Sequence, residues 1–152
     1  LHTNDALGTP IRLLDMGAPR YMVAMSLQMV LAQRLVRVVC ESCAAPHALS
    51  PHEHEWMRLD LQDAVEPPRY LKGAGCSHCN GTGYLGRTGV YEILEMTKPV
   101  VEAANREDPA HFMQAARTQM AGRTLRHYAA RLAASGKTTV EEVMRVSNQL
   151  EE

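Results

Sequence analysis

Two Cys-x-x-Cys pairs constrain this chain more than any other feature of its sequence. Cys40-Glu-Ser-Cys43 and Cys76-Ser-His-Cys79 are separated by 32 residues and use all four cysteines of the chain. Each pair presents two thiolates from one tight turn, and two such turns facing each other form the four-sulfur tetrahedron that zinc prefers. The spacing therefore predicts a structural zinc site with Cys40, Cys43, Cys76 and Cys79 as ligands, in which the metal folds the insert around it.

Four cysteines have three other possible uses besides zinc. Disulfides need an oxidising compartment, and nothing in the sequence directs export. Redox Cys-x-x-Cys sites occur singly beside a βαβ unit, which this chain lacks. An iron–sulfur cluster also takes four thiolates and stays open as an alternative. His47 and His78 lie near the pairs, but because four cysteines complete the shell, we expect both to be surface histidines.

Composition limits the other classes of function. The 152 residues are 45% hydrophobic and 22% charged, with a formal net charge of −1, so no global field favours nucleic acid or an anionic membrane. The longest mostly apolar run, residues 21–39, is broken by Gln28, Gln33, Arg34 and Arg37 and is not expected to span a bilayer. The sequence starts at Leu1 inside what looks like a motif, which predicts a fragment of a longer protein.

The first third and the last third of the chain have helical patterns. Thr9 as cap and Gly17 as terminator bracket a first helix, and a long, mostly buried helix is predicted from Pro19 to about Val38. Ser50 and Glu53 form a capping box for a short helix between the cysteine pairs. A turn and a strand are predicted over 84–94, and four further helices are predicted over 98–104, 109–120, 124–134 and 140–149.

Gly136-Lys137-Thr138 is a partial match to a phosphate-binding loop. That loop needs a glycine five positions before Gly136 and a preceding strand, but Arg131 occupies the position and helical spacing precedes it. We therefore expect Gly136 to end one helix in the left-handed conformation and Thr138 to cap the next, with Glu141 closing a capping box.

Several blocks together resemble one protein family along the whole chain. These are Leu1-His-Thr-Asn-Asp-Ala-Leu-Gly, Arg12-Leu-Leu-Asp-Met-Gly, Ala32-Gln-Arg-Leu-Val-Arg, both cysteine pairs, and Gly81-Thr-Gly-Tyr-Leu-Gly-Arg-Thr-Gly-Val-Tyr-Glu. In this order they resemble the C-terminal part of the secretion ATPases that drive type II secretion and type IV pilus assembly, closest to the MSHA-type pilus branch.

The resemblance implies a function for a longer protein. It implies a hexameric ATPase, using ATP and Mg²⁺, at the cytoplasmic face of the inner membrane, where hydrolysis moves a membrane platform protein. His2 occupies the place of the second histidine of the family's histidine box, which approaches the terminal phosphate of ATP. The phosphate loop, the magnesium-binding acidic residue and the first half of the histidine box are missing from this sequence, so the chain alone is expected to be inactive.

The resemblance also predicts the organisation of the chain. The fold is expected to be mainly α with a small zinc-bound subdomain: the edge of a RecA-like α/β domain over 1–38, a tetra-cysteine subdomain over 39–83, and a helical subdomain over 84–152. Arg123, His127 and Arg131 recur every four residues and are expected to form one ridge on a helix, either a solvated polar face or a surface for an acidic partner.

The alternative is a free-standing zinc module that binds nucleic acid or unfolded protein. Nucleic-acid binding needs a basic stripe with stacking aromatics, whereas residues 49–72 carry more acidic than basic side chains. Client binding would follow from the match of Cys76–Gly83 to the repeat of J-domain chaperones, but the first cysteine pair lacks the glycines of that repeat. We therefore expect no nucleic-acid partner.

Overall fold

The computed structural model describes residues 3–58 and 67–151 and contains both helices and long strands. In chain order the elements are α1 Gly8–Asp15, α2 Arg20–Ser26, β1 Met29–Val39, a 3₁₀ turn Glu41–Cys43, β2 Ala44–Pro46, α3 Pro51–Arg58, β3 Leu71–Gly73, β4 Tyr84–Glu95, α4 Lys98–Ala104, α5 Pro109–Gln119, α6 Leu125–Ala134 and α7 Val140–Glu151. β1 pairs with β4, and β2 pairs with β3 in antiparallel register. With β1 and β4 spanning 11 and 12 residues, the mainly α expectation holds only in part.

The long helix predicted from Pro19 to about Val38 is wrong beyond Ser26. Burial along β1 alternates, so that Val30, Ala32 and Val36 are more buried than Met29, Leu31 and Leu35. This strand carries apolar residues on both of its faces, which the sequence pattern cannot distinguish from a buried helix. The β-branched Val30, Val36, Val38 and Val39 favour the strand because they fit a pleated surface.

The chain forms two compact units. The first contains Leu1–Gln33 and Tyr91–Thr124, and the second contains Arg34–Val90 and Leu125–Glu152. In the first unit the helices α1, α2, α4 and α5 surround an apolar core, whose buried members are Ala6, Leu7, Ala24, Leu94, Val100, Ala104, Phe112, Ala116 and Met120. A Schellman motif ends α1. Gly17, at φ +89°, donates its N–H to the Leu14 carbonyl, and the Ala18 N–H donates to the Leu13 carbonyl. Gly17 therefore ends this helix, as predicted.

In the second unit α6 packs against α7 beside parts of β1 and β4. Its fully buried apolar side chains include Val36, Val90, Leu125, Val143 and Val146. Gly136, at φ +78°, ends α6. Its N–H donates to the Ala133 carbonyl, and the Lys137 N–H donates to the Leu132 carbonyl, which is the bond pattern of a Schellman motif. The residues Gly136-Lys137-Thr138 thus join two helices, as expected.

Most predicted caps are confirmed, but the cap of α7 is placed differently. The capping box of α3 is present, since the Ser50 N–H donates to Glu53 and the Glu53 N–H donates to the Ser50 hydroxyl. Asp108 caps α5 by accepting from Ala110. For α7, however, Thr139 rather than Thr138 accepts the first-turn N–H, that of Glu142, because the buried Thr138 hydroxyl donates to the Arg37 carbonyl instead.

Two more predictions differ from the structure. Thr9 does not cap α1, which begins at Gly8, and the Gly8 N–H is satisfied by the Asp5 carboxylate at 2.7 Å. The expected ridge of Arg123, His127 and Arg131 does not lie on one helix. Arg123 precedes α6 and belongs to the first unit, where it lies 4.0 Å from Glu95. The four-residue spacing cannot form a helical ridge across a helix start.

Candidate metal centre

The four cysteines lie at the ends of paired strands in the second unit. Cys40 follows β1, and the 3₁₀ turn carries the chain from it to Cys43. Cys76 and Cys79 lie in a turn between β3 and β4, closed by the Gly81 N–H on the Cys76 carbonyl. Because β2 pairs with β3 in a register that sets Ala44 opposite Gly73, the two cysteine turns are brought face to face.

The sulfur positions fit a single tetrahedral ion. Sγ–Sγ distances are 3.9 Å for Cys40–Cys76, 3.9 Å for Cys43–Cys79 and 3.7 Å for Cys76–Cys79, and all four ligand atoms lie within 4.8 Å of one another. A tetrahedron with Zn–S bonds of about 2.3 Å places its sulfurs about 3.8 Å apart. The cysteines are free rather than disulfide-bonded, so this is a tetrathiolate donor set.

Backbone amides prepare the thiolates for a cation. The N–H groups of Cys76 and Gly83 both donate to the Cys79 Sγ at 3.2 Å, and the Gly75 N–H donates to the Cys43 Sγ at 3.3 Å. Burial alone would raise the pKa of Cys79, but hydrogen bonds from the Cys76 and Gly83 amides and from the Cys76 and Cys43 side chains together outweigh burial and lower that pKa to about 6. At Cys43 burial prevails and raises the pKa to about 11. The amides thus favour a thiolate at Cys79 at neutral pH.

Glycines allow the two turns to approach each other. A Cβ on Gly73 would lie 2.1 Å from the Gly83 carbonyl oxygen, and one on Gly83 would lie 2.5 Å from the Gly73 oxygen. A side chain at either position would collide with backbone, which cannot move aside cheaply. Gly83 also has φ +77°. The same residue that donates to Cys79 is therefore restricted to glycine, a role that sequence reasoning did not assign.

The neighbouring histidines are placed away from the ligand set. His47 pairs through its Nε2 with Glu53 at 3.2 Å, and among the residues that the structure describes, the only group of at least three potential ligands close enough to hold a metal is the four cysteines. His78 is exposed. The expectation of a surface histidine therefore fits His78, whereas the His47 side chain is only 27% exposed. His2, the candidate for the ATP site, lies outside the described residues.

The segments around the four cysteines are connected to the helical part of their own unit. The Arg69 N–H donates to the Ala134 carbonyl at 2.6 Å, and the Val39 N–H donates to the Lys137 carbonyl at 3.0 Å. The guanidinium carbon of Arg126 lies 4.3 Å from the centre of the Trp56 ring, which belongs to α3. These three contacts connect the segments around the cysteines with α6 and the turn that follows it.

A buried ion-pair cluster, also missed in the sequence, supports the strand that leads to Cys40. The Glu142 side chain is fully buried and accepts from the Arg37 N–H, the Arg37 guanidinium and the Arg145 guanidinium at 2.7–3.0 Å. Burial would raise its pKa, but the bonds from Arg145 and Arg37 lower it to about 2. Glu142 thereby joins α7 to β1, whose last residue is followed directly by Cys40.

Among the helices of residues 3–58 and 67–151, none combines the length and hydropathy that crossing a bilayer requires.

Comparison with known proteins gives a consistent match. The family model described as Type II/IV secretion system protein matches residues 1–145. The Type II secretion system protein E of Pseudomonas aeruginosa is 37% identical over 98% of this chain and 29% of its own length. The Type IV pilus assembly ATPase TfpB of Acinetobacter baylyi is 34% identical over 96% of this chain and 25% of its own. The Type IV pilus assembly ATPase PilB of Thermus thermophilus is 37% identical over 95% of this chain and 16% of its own length.

The chain thus spans less than a third of the length of these curated relatives. Its matched region includes all four cysteines and the glycines around them.

Proposed function

Because this chain belongs to the type II/IV secretion system protein family, we propose that it forms the C-terminal segment of a hexameric motor ATPase that powers type IV pilus assembly, in the MSHA-like branch, or type II secretion. The observation that carries the proposal is the family match over residues 1–145. The relatives named above include ATPases of type IV pilus assembly and a protein of type II secretion. The full-length motor would act at the cytoplasmic face of the inner membrane, on a platform protein.

In this proposal Cys40, Cys43, Cys76 and Cys79 hold one structural Zn²⁺. A closed shell of four thiolates leaves no open position, so the ion supplies folding free energy rather than catalysis. Structural zinc contributes of order 10–16 kcal/mol in small peptides. The residues of the chain fix the sulfur positions, through the amides of Gly75, Cys76 and Gly83 and the close approach of the two turns.

ATP and Mg²⁺ would be bound in the full-length protein only. Gly136-Lys137-Thr138 is not a phosphate loop, since Gly136 ends α6 rather than following a strand. Without that loop and acidic residues for Mg²⁺, the charge of a transferring phosphoryl group is not neutralised. His2 is proposed to contribute to the nucleotide site, and the segments 1–38, 39–83 and 84–152 are proposed as the ATPase edge, the metal-binding subdomain and the helical subdomain.

Steady-state ATP hydrolysis by the full-length protein and by the 152-residue chain tests the proposal. We expect turnover only in the full-length protein, and a loss in kcat for full-length His2→Ala. His111→Ala is the matched control, because the His111 side chain is half exposed and forms an ion pair with Asp108, the N-cap residue of its own helix. Turnover by the 152-residue chain, or a full-length protein without ATP hydrolysis, would contradict the proposal.

The system that the motor serves is tested in a deletion strain of the source bacterium. Complementation with the full-length protein is expected to restore surface pili of the MSHA type, and an effect on secreted proteins with no effect on pili would assign it to type II secretion instead. Salt-dependent binding of DNA or RNA by the zinc-loaded chain, or suppression of aggregation of an unfolded protein, would favour the alternative zinc module.

A further inference from the structure

A buried carboxylate on β4 holds the segment that leads into α1. The Ala6 N–H donates to Glu92 Oε1 at 2.6 Å, a bond between residues 86 positions apart in the chain. Burial alternates along the end of β4, where Glu92 lies on the same side as Leu94, a member of the apolar core of the first unit. Glu92 is only 3% exposed, and Ala6 is fully buried. The bond therefore lies inside the first unit, on the core side of β4.

Local hydrogen bonds define the conformation of residues 3–9. The hydroxyls of Thr3 and Thr9 share a hydrogen bond of 2.9 Å, and the Gly8 N–H donates to the Asp5 carboxylate at 2.7 Å. Because these bonds join residues at most six positions apart, they shape the segment but do not determine where it lies in the unit. The bond to Glu92 does so, since it joins the segment to a strand far away in the chain.

Packing alone does not require a carboxylate at this position. Removing a carboxylate from water costs free energy, and well-packed apolar replacements of buried charged groups are often neutral or stabilising. What an apolar side chain cannot provide is an acceptor at a fixed place for the buried Ala6 N–H, which would then be left without its bond to Glu92. The carboxylate thus specifies the position of one backbone amide in addition to filling space in the core.

We propose that Glu92 is a positioning residue for ATP hydrolysis. By holding the Ala6 N–H it fixes the backbone of residues 3–6, which directly follow His2, and thereby sets where the His2 side chain stands against the terminal phosphate. The inference rests on the proposed function, in which His2 contributes to the nucleotide site of the full-length protein. Glu92 acts through His2 rather than on the nucleotide. A misplacement of about 1 Å at a reacting centre can lower a rate by about a hundredfold.

Steady-state ATP hydrolysis by the full-length protein tests this role. Glu92→Leu removes the acceptor and is expected to lower kcat at least about tenfold with KM for ATP changed less than about twofold, because a displaced group that acts on the reacting phosphate affects kcat rather than ground-state binding. Glu92→Gln keeps an acceptor oxygen and should stay within about threefold of wild type. Glu95→Leu, on the same strand but with a side chain 53% exposed, is the matched control and should stay within about twofold. An unchanged kcat in Glu92→Leu, or an equal loss in Glu92→Gln, would overturn the proposal.

A double-mutant cycle separates positioning from a general loss of stability. In full-length protein that already carries His2→Ala, Glu92→Leu is expected to change kcat less than about twofold, because the residue through which it acts is gone. A merely structural role would act through the fraction of folded protein and would lower kcat by the same factor with and without His2. Equal factors in the two backgrounds would therefore overturn the proposal.

Amide hydrogen exchange in the 152-residue chain tests the bond without ATP hydrolysis. Glu92→Ser is the second variant, because its side chain is too short to reach Ala6 and leaves room for a water molecule on that amide, which spares the fold if leucine does not. The Ala6 N–H, followed by NMR, is expected to exchange at least about tenfold faster in this variant than in wild type. The Gly136 N–H, bonded to the Ala133 carbonyl in the second unit, is the reference. Unchanged exchange at Ala6 would overturn the proposal.

The proposed function and this inference fail in different measurements. A wild-type full-length protein without turnover, or one whose kcat is unaffected by His2→Ala, would refute the proposed function and this inference with it. Normal turnover that depends on His2 but not on Glu92 would refute the inference alone.

Discussion

Replacing the buried Glu142 by Gln tests the ion-pair cluster that holds β1 on α7. The carboxylate has no exposed surface and accepts bonds from both Arg37 and Arg145. The variant keeps the shape of the side chain but removes its charge and turns an NH₂ group toward guanidinium donors. A buried donor facing another donor loses the bond and keeps the cost of desolvation.

The size of the effect follows from the pKa. Glu142 has a pKa of about 2 in the fold against an ordinary value of 4.5, which corresponds to about 3 kcal/mol of stability at neutral pH. The side chains of Arg37 and Arg145 are 45% and 41% exposed, and solvent screening lowers this to about 2 kcal/mol. For a chain of this length we expect the melting temperature to fall by roughly 5 °C.

The pH dependence has a defined sign. Because the folded pKa is lower than the unfolded one, the contribution is complete above about pH 4.5 and is lost as the pH falls toward 2. The difference in free energy of unfolding between wild type and Glu142→Gln, measured by chemical denaturation of the metal-loaded chains, must therefore shrink over that range. Taking the difference at each pH cancels effects of metal release that both proteins share.

Glu141→Gln is the matched control for this prediction. Glu141 neighbours Glu142 in the same helix, but its side chain is 61% exposed and its partner Lys72 lies 3.7 Å away. An exposed pair of this kind contributes about 0–1 kcal/mol. Equal losses in the two variants, or a Glu142→Gln variant as stable as wild type at pH 7, would refute the reasoning.

Three further predictions concern the metal centre. Gly83→Ala should weaken zinc retention against a chelator, because the new Cβ would lie 2.5 Å from the Gly73 carbonyl oxygen. Gly86→Ala is the control: Gly86 has a similar φ of +79° but no atom within 4 Å of the new Cβ, so it should cost only the backbone strain of about 1–2 kcal/mol. Equal losses of zinc in the two variants would contradict the predicted collision with the Gly73 backbone. Cys79→Ser should abolish stoichiometric zinc, whereas His78→Ala should retain it. Chelation should release one zinc per chain. The amides of residues 40–79 should then exchange hydrogen before those of the rest of the chain, and the fluorescence of Trp56 should change. Full protection of these amides in the metal-free chain would contradict a folding role for the metal.

Local signals in the sequence predicted the ends of several helices. Asp108 before Pro109, Ser50 with Glu53, and glycines at 17 and 136 fix where helices begin and end, since these residues satisfy backbone groups within one turn. The same logic fails when a cap has a long-range competitor. Thr138 donates to Arg37, about a hundred positions away, so Thr139 takes the cap.

Features set by tertiary context were not readable. Residues 29–39 carry apolar side chains on both faces, so the helical and strand periodicities fit equally well until their neighbour β4 is known. The cysteine spacing predicted the ligand set, and the structure brings those four sulfurs together. The sequence did not predict the close approach of Gly73 to Gly83 or the burial of Glu142, because both depend on partners that are distant in the chain.

X-ray absorption spectroscopy at the zinc edge, on reduced and metal-loaded chain of known stoichiometry, tests the central claim most directly. Four sulfur neighbours at about 2.3 Å, with one zinc per chain and no nitrogen or oxygen scatterer, is the result that a site of Cys40, Cys43, Cys76 and Cys79 predicts. A chain that purifies without stoichiometric metal, an iron signal with sulfide, or a mixed nitrogen–sulfur shell would contradict it.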